Sequence, residues 1–190
     1  MTILVRLCPA LGRASTRKLA LTCVFFVDGR VKPGHKRCEK ETYLSDVTLA
    51  QASIIVDQAL AKGRELELHP LTVVVLDGGG HLVAMKREDK SGILRTEIAT
   101  GKAWGTLGMG FGGREFTRRA ASGGAVFLQA LMAASGGRIV PAPGGVLIRD
   151  AADDIVGAVG ISGDTSDKDE ICAVAGIEAA GLKADTGEVV

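Results

Sequence analysis

The chain has 190 residues, of which 46% are hydrophobic and only 4% aromatic, with 26 glycines and a formal net charge of +1. This length suits one domain plus an appendage, and the core has to be built from Val, Ile, Leu and Ala. The near-neutral balance, with no RNA-binding aromatic motif and no zinc-finger spacing, argues against a nucleic-acid binder.

The charge is unevenly spread. Residues 1–42 carry nine Lys/Arg against three Asp/Glu, and the rest of the chain carries 14 against 19. The shift divides the chain into a basic extension, 1–42, and a folded domain, 43–190. Leu19–Val27 is an apolar run of nine residues, too short to span a bilayer. Three readings of this extension stand open: an Arg-rich organellar presequence, a weak secretory signal in residues 1–27, or a disordered arm on a cytoplasmic protein. Three of the four cysteines, Cys8, Cys23 and Cys38, fall in the extension, which leaves Cys172 alone in the domain and no disulfide framework. His35 and Cys38 have a ligand-like spacing, but a structural zinc needs four ligands and no second pair accompanies them.

The first element expected is a helix over Thr48–Glu67. Thr48 as N-cap and Gln51 three positions on form a capping box, and Ala52, Ile55, Val56, Ala59, Leu60 and Gly63 make one apolar stripe. Leu71–Asp77 is a strand, Gly78–Gly80 a turn, and His81–Lys86 the returning arm of a hairpin. Strict alternation on that arm puts His81, Val83 and Met85 on one side, and Leu82, Ala84 and Lys86 on the other. Ile93–Leu107 reads as a second helix containing Trp104, the sole tryptophan. Glu115–Ala121 and Val126–Ala134 are shorter helical pieces.

Residues 138–165 read as three strands delivered onto a helix. Arg138–Val140 is stopped by Pro141 and Pro143, Val146–Arg149 follows the Gly144-Gly145 turn, and Ile155–Ser162 follows a tight turn at Asp150–Asp154. Gly157 and Gly160 mark places where something approaches the last strand closely. Thr165 or Ser166 caps a final helix, Asp167–Gly181, with acids in its first turn. Strands joined by tight turns are antiparallel, so the class is α+β.

Five motifs in this order are shared with a known family: Thr48-Leu-Ala-Gln-Ala; Val75-Leu-Asp-Gly-Gly-Gly-His-Leu-Val; Glu97-Ile-Ala-Thr-Gly-Lys-Ala; Ile139-Val-Pro-Ala-Pro-Gly-Gly-Val; and Val156-Gly-Ala-Val-Gly-Ile-Ser-Gly-Asp-Thr, followed by Asp169-Glu170. Over about Leu44–Leu182 the chain resembles the haem-binding GlcG/HbpS family, which includes the C-terminal domain of PduO. The resemblance implies a profilin-like fold whose five-stranded antiparallel sheet has the order 2-1-5-4-3, flanked by helices. It also implies self-association, from dimers to octamers. For function it implies a haem-binding or haem-responsive domain linked to redox or iron handling. The alternative is an accessory enzyme or small organic acid-binding protein of glycolate- or propanediol-type catabolism. The implied cofactor is haem; the charge balance and the short apolar run give no reason to expect nucleic acid or a membrane span.

Candidate residues follow. His81, Met85, His69, Met109 and Cys172 have side chains able to ligate haem iron. His81 is the foremost of them, because it sits beside glycines where a planar ligand can approach; the other reading is an exposed turn histidine. Lys102 matches the family's lysine. It either holds a carboxylate, such as a haem propionate, or snorkels to pair with Glu97 or an aspartate. Gly144 and Gly145, after Pro143, form the turn where a ligand near this segment is expected. Gly163-Asp164-Thr165 reads better as turn and cap than as an anion site, because aspartates crowd it. No catalytic constellation stands out.

Overall fold

The structure is a computed structural model and describes residues 46–188. The expected extension 1–42, the boundary at 43, Cys8, Cys23, Cys38 and His35 all lie outside the described residues. In chain order the elements are α1 (Leu49–Glu65), β1 (Thr72–Asp77), β2 (Leu82–Arg87), α2 (Arg95–Met109), α3 (Gly113–Arg119), α4 (Ala125–Ala134), β3 (Gly145–Arg149), β4 (Ile155–Ser162), α5 (Ser166–Ala179) and β5 (Lys183–Asp185). All strand pairs are antiparallel, in the order β2-β1-β4-β3-β5.

The fold class is the expected α+β, and helices cover both faces of the sheet. α1 opens on its capping box: Thr48 Oγ1 accepts from the Gln51 amide at 3.2 Å, and the Gln51 side chain accepts from the Thr48 amide at 3.1 Å. Its apolar stripe packs with α5 against Val73, Val75, Val159 and Ile161. α2 covers the other face, where Ala99 and Ala103 meet Val74, Leu76, Leu147 and Ala158. β1 and β4 are buried on both sides for that reason.

The outermost strand differs from the expectation. Arg138–Val140 does not join the sheet. It runs along α2 instead, with the Val140 amide donating to the Gly101 carbonyl at 3.2 Å and Ile139 buried with Phe116 and Leu128. Pro141 and Pro143 have no N–H to offer a ladder, so a longer pairing cannot grow there. The edge is supplied by Lys183–Asp185, paired with Leu147–Arg149. Three residues without an apolar alternation carry no strand signal in sequence.

The facing of β2 also differs. A bulge between Val75 and Leu76 pairs Leu76 with Leu82 and Val75 with Ala84, which leaves Val83 extra. One added residue reverses the alternation beyond it. Leu82 and Met85 therefore share the α2 side with Leu76 and Val74, while Val83 and Ala84 pack against the α1/α5 core.

After α3 the chain passes through a π-helical turn, Ala120–Gly124, and kinks at Ser122 and Gly123, where φ is 89° at the glycine. α3 is held by Glu115, whose two oxygens accept from Arg118 at 2.6 Å and from Arg119 at 2.7 Å. These bonds bring the Glu115 carboxyl from its ordinary 4.5 down to about 2. A depressed carboxyl adds stability above its unfolded pKa and loses it as pH falls through the folded one. Acid melts should therefore show wild-type stability declining as pH drops from about 4.5 towards 2, with a shallower decline in Glu115→Gln. Equal slopes for the two proteins would remove Glu115 from the acid response.

Candidate functional site

The site residues read from the sequence separate into two places. Lys102, Gly144 and Gly145 are buried together inside the domain; His81 and Met85 lie on the β1–β2 hairpin, at its surface.

The interior group is built on glycines in register. Gly145 pairs with Gly160 across β3 and β4, which gives the sheet a floor without side chains beneath α2. A Cβ at 160 would stand 1.9 Å from the Ala99 carbonyl oxygen, and one at 145 would stand 2.7 Å from that of Lys102. Lys102 thus enters the interior, where 3% of it remains exposed. Its Nζ donates to Asp169 Oδ2 and to the Ile161 carbonyl, both at 2.9 Å. Asp169 Oδ1 accepts the Asp164 amide at 3.1 Å. Burial pushes the Asp169 carboxyl upward, against the pull of Lys102 and of the Asp164 amide.

Gly144, at φ 91°, lies over this pair, and a Cβ there would meet both Lys102 Nζ and Asp169 Cβ at 2.9 Å. The Pro143–Gly145 turn was expected to face a ligand. Its glycines are instead buried against Lys102, because the lysine and α2 need the space. The partner of Lys102 is an aspartate, as one of the two sequence readings has it, and Glu97 is not that partner.

The outer group centres on the Gly78–Gly80 turn. The His81 amide donates to Asp77 Oδ1 at 2.8 Å. The imidazole Nδ1 lies 3.3 Å from the same oxygen, and the side chain is 81% exposed. Nε2 has no partner among the described residues. Gly79 lets the ring lie across the turn, since a Cβ at 79 would stand 2.9 Å from Nδ1. Gly80 abuts Trp104, whose indole would be 3.2 Å from a Cβ there. Gly78, Gly79, Gly80, Trp104, Leu107 and Gly108 line a cleft of about 180 Å³ beside this turn.

Trp104 also walls a second, more apolar groove of about 470 Å³ between α2 and residues 136–140. There the Arg138 guanidinium sits 4.1 Å from the indole centroid, a cation–π contact. Sequence reading missed the pairing of Trp104 with Arg138, 34 positions apart; the lone tryptophan was the signal that pointed to it.

The remaining candidates fall elsewhere. Cys172 is fully buried, and burial pushes its thiol up to about 11, which makes it a packing residue. Met109 packs at the edge of the Phe116 cluster. Met85 is 42% exposed on the α2 side of β2. His69 is exposed at the opposite end of the hairpin from His81. No group of three or more His, Cys, Asp or Glu suited to a metal ion occurs among the described residues, and no helix among them is long and apolar enough to cross a membrane.

Comparison with known proteins gives a consistent picture. A family model described as haem degrading protein HbpS-like matches residues 47–178. A Citrobacter freundii protein, described as an uncharacterized 15.0 kDa protein in the dhaT-dhaS intergenic region, is 28% identical over 134 residues, covering 70% of this chain and 92% of its own. The crystal structure of a PduOC–haem complex matches with a TM-score of 0.65 at 22% identity, over 75% of this chain and 99% of that one. The crystal structure of HbpS matches with a TM-score of 0.61 at 25% identity, over 75% and 96% of the two chains. The likeness to PduOC is one of fold.

Proposed function

The chain belongs to the HbpS-like family, and from that premise we propose that it is a haem-binding, self-associating domain with a role in redox or iron handling. The observation that carries this reading is the His81 turn: an exposed imidazole, Nδ1 beside a carboxylate, Nε2 free, and a tryptophan-walled cleft next to it. Metal-bound histidines typically present their second ring nitrogen to such an acceptor, which sets the tautomer and the ring direction. Bound haem would supply a redox-active iron; the chain would hold it with the His81 imidazole, an apolar wall at Trp104, and Met85 farther along β2.

The cleft's 180 Å³ falls below the ~300–1,000 Å³ of pockets that enclose drug-sized ligands. A haem held at His81 would therefore need cover beyond what this cleft offers. Self-association can supply that cover. Val126, Phe127 and Met132 on α4, and Leu82, Met85, Ile93 and Leu94 near β2 and the start of α2, are exposed apolar residues, of the kind that mark interfaces when grouped.

The test is a haem titration followed through the Soret band. Wild type should give a saturable shift at about one haem per chain, as one axial histidine allows. His81→Ala should lose it or weaken it about tenfold or more. The absence of a saturable change in the wild type would sink the reading. An unaltered titration in His81→Ala would move ligation to another residue. The alternative, an organic-acid-binding protein that uses Lys102, lacks a free cation at that position, because Asp169 already occupies it.

A further inference from the structure

A third cleft lies at the far end of the β1–β2 hairpin from His81. β1 has six residues, so the two places are separated by roughly 17–20 Å of strand. This cleft has a volume of about 350 Å³ and is lined by His69, Lys90, Ser91, Gly92, Arg95 and Gly163, together with Pro70. All of its charged lining is basic.

The cations are under-used. Arg95 is half-buried, yet its guanidinium makes one protein hydrogen bond among the described residues, from Nη1 to the neutral Ser162 hydroxyl at 3.2 Å. A guanidinium has five N–H donors in a planar fork, so most of this fork is unfilled. Neither the Lys90 ammonium nor the His69 ring has a partner among the described residues. His69 is joined to its surroundings through its backbone, the amide donating to Asp164 Oδ2 at 3.1 Å and the carbonyl accepting from Arg64 at 3.1 Å.

Three carboxylates nearby are bonded to other donors. Asp164 accepts from the His69 and Thr165 amides and lies 3.4 Å from Lys168. Glu88 is held by Arg64 and by the Leu71 amide. Asp169 is bonded to Lys102 at 2.9 Å and meets Arg95 only as a more distant charge, the weakest of the influences on its carboxyl. A half-buried arginine that bonds no carboxylate among the described residues, beside a cleft whose charged lining is basic, is the arrangement that recognises a carboxylate or phosphate through paired N–H···O bonds.

We propose that this cleft is a binding site for a small oxyanion, the carboxylate or phosphate group of a metabolite, anchored by Arg95 and assisted by Lys90 and His69. The site is independent of the haem reading and stands if that reading fails. It also gives an acid-binding role the free cation that Lys102 does not provide.

The test is calorimetric titration of the full chain at low ionic strength with inorganic phosphate and, separately, with malonate. Saturable binding of at least one probe is expected, and the tighter of the two identifies the ligand class. Arg95→Gln should weaken it about tenfold or more, the loss expected for charge-assisted bonds. Lys90→Gln, a change at an exposed turn, should weaken it by a smaller factor. His81→Ala should bind as the wild type does. Wild-type amide spectra supply a readout that needs no variant: Gly92, Ser91 and His69 should shift on titration. No saturable binding of either probe, shifts confined to other regions, or wild-type affinity in a folded Arg95→Gln would each overturn the proposal.

Discussion

Lys102→Ala should destabilise the domain by about 3–5 kcal/mol near neutral pH, the usual cost of stranding one member of a buried ion pair. Asp169 would lose the cation bonded to it at 2.9 Å, in a place where only 1% of its side chain is exposed. It would keep one hydrogen-bond donor, the Asp164 amide, and the more distant charge of Arg95. The variant can relieve the burden by protonating Asp169, whose carboxyl burial already pushes upward. A raised carboxyl pKa contributes stability that is present below the unfolded value and lost as pH rises through the folded value. The gap between wild type and variant should therefore be wide at pH 7 and narrow towards pH 4. Urea unfolding at the two pH values measures it. Replacing both partners with apolar residues, as in Lys102→Met with Asp169→Leu, should recover part of the loss. A change below about 1 kcal/mol at pH 7 would mean that the pair is not the internal tie described above.

The same variant separates structure from ligand binding. If Lys102 serves the interior, a folded Lys102→Ala protein titrates haem as the wild type does. Weakened haem binding with unchanged urea stability would instead restore Lys102 as a ligand-holding residue.

Gly160→Ala should be at least as damaging, about 3 kcal/mol or more, because the overpacking is against backbone rather than a side chain that can rotate away. The new methyl group would stand 1.9 Å from the Ala99 carbonyl oxygen and 2.9 Å from the Ala103 amide nitrogen. α2 would have to lift off the sheet to admit it, withdrawing Lys102 from Asp169 and opening the Val74–Leu147–Ala158 cluster. Gly108→Ala is the control on the same helix. It meets nothing within 4 Å and should stabilise by up to about 1 kcal/mol through helix propensity alone. Thermal melts of the two variants should move in opposite directions. A Gly160→Ala protein that melts with the wild type would show that α2 does not lie on the glycine floor.

Much of the fold was legible before the structure. The Thr48–Gln51 capping box, the apolar stripe of α1 and the β-branched run in β1 are signals carried within a few consecutive residues. The glycines of β4 marked close approaches, and α2 at Gly160 and the Leu76 carbonyl with Val47 at Gly157 are what approach. Three features could not be read. The bulge at Val75/Leu76 turns Leu82 and Met85 to the α2 side, and one extra residue in a hairpin leaves no mark on composition. The edge strand is three residues of Lys-Ala-Asp, which pair because β3 is already in place. Arg138–Val140 has the composition of a strand, but α2 captures it.

For the candidate site the division is sharper. The sequence by itself determined the kinds of chemistry available: a histidine in a triple-glycine turn, a lysine in an apolar helix, and glycine pairs around residues 144–160. Only the tertiary structure decided which groups remain free to use it. Lys102 meets the Ile161 carbonyl and Asp169 across 59 and 67 positions of chain, so it is spent inside the domain. Arg95 bonds no carboxylate among the described residues and keeps most of its fork for a cleft. Whether a charge is neutralised depends on what lies within about 4 Å of it in space, and spacing along the chain records that only for neighbours on one helix or one turn.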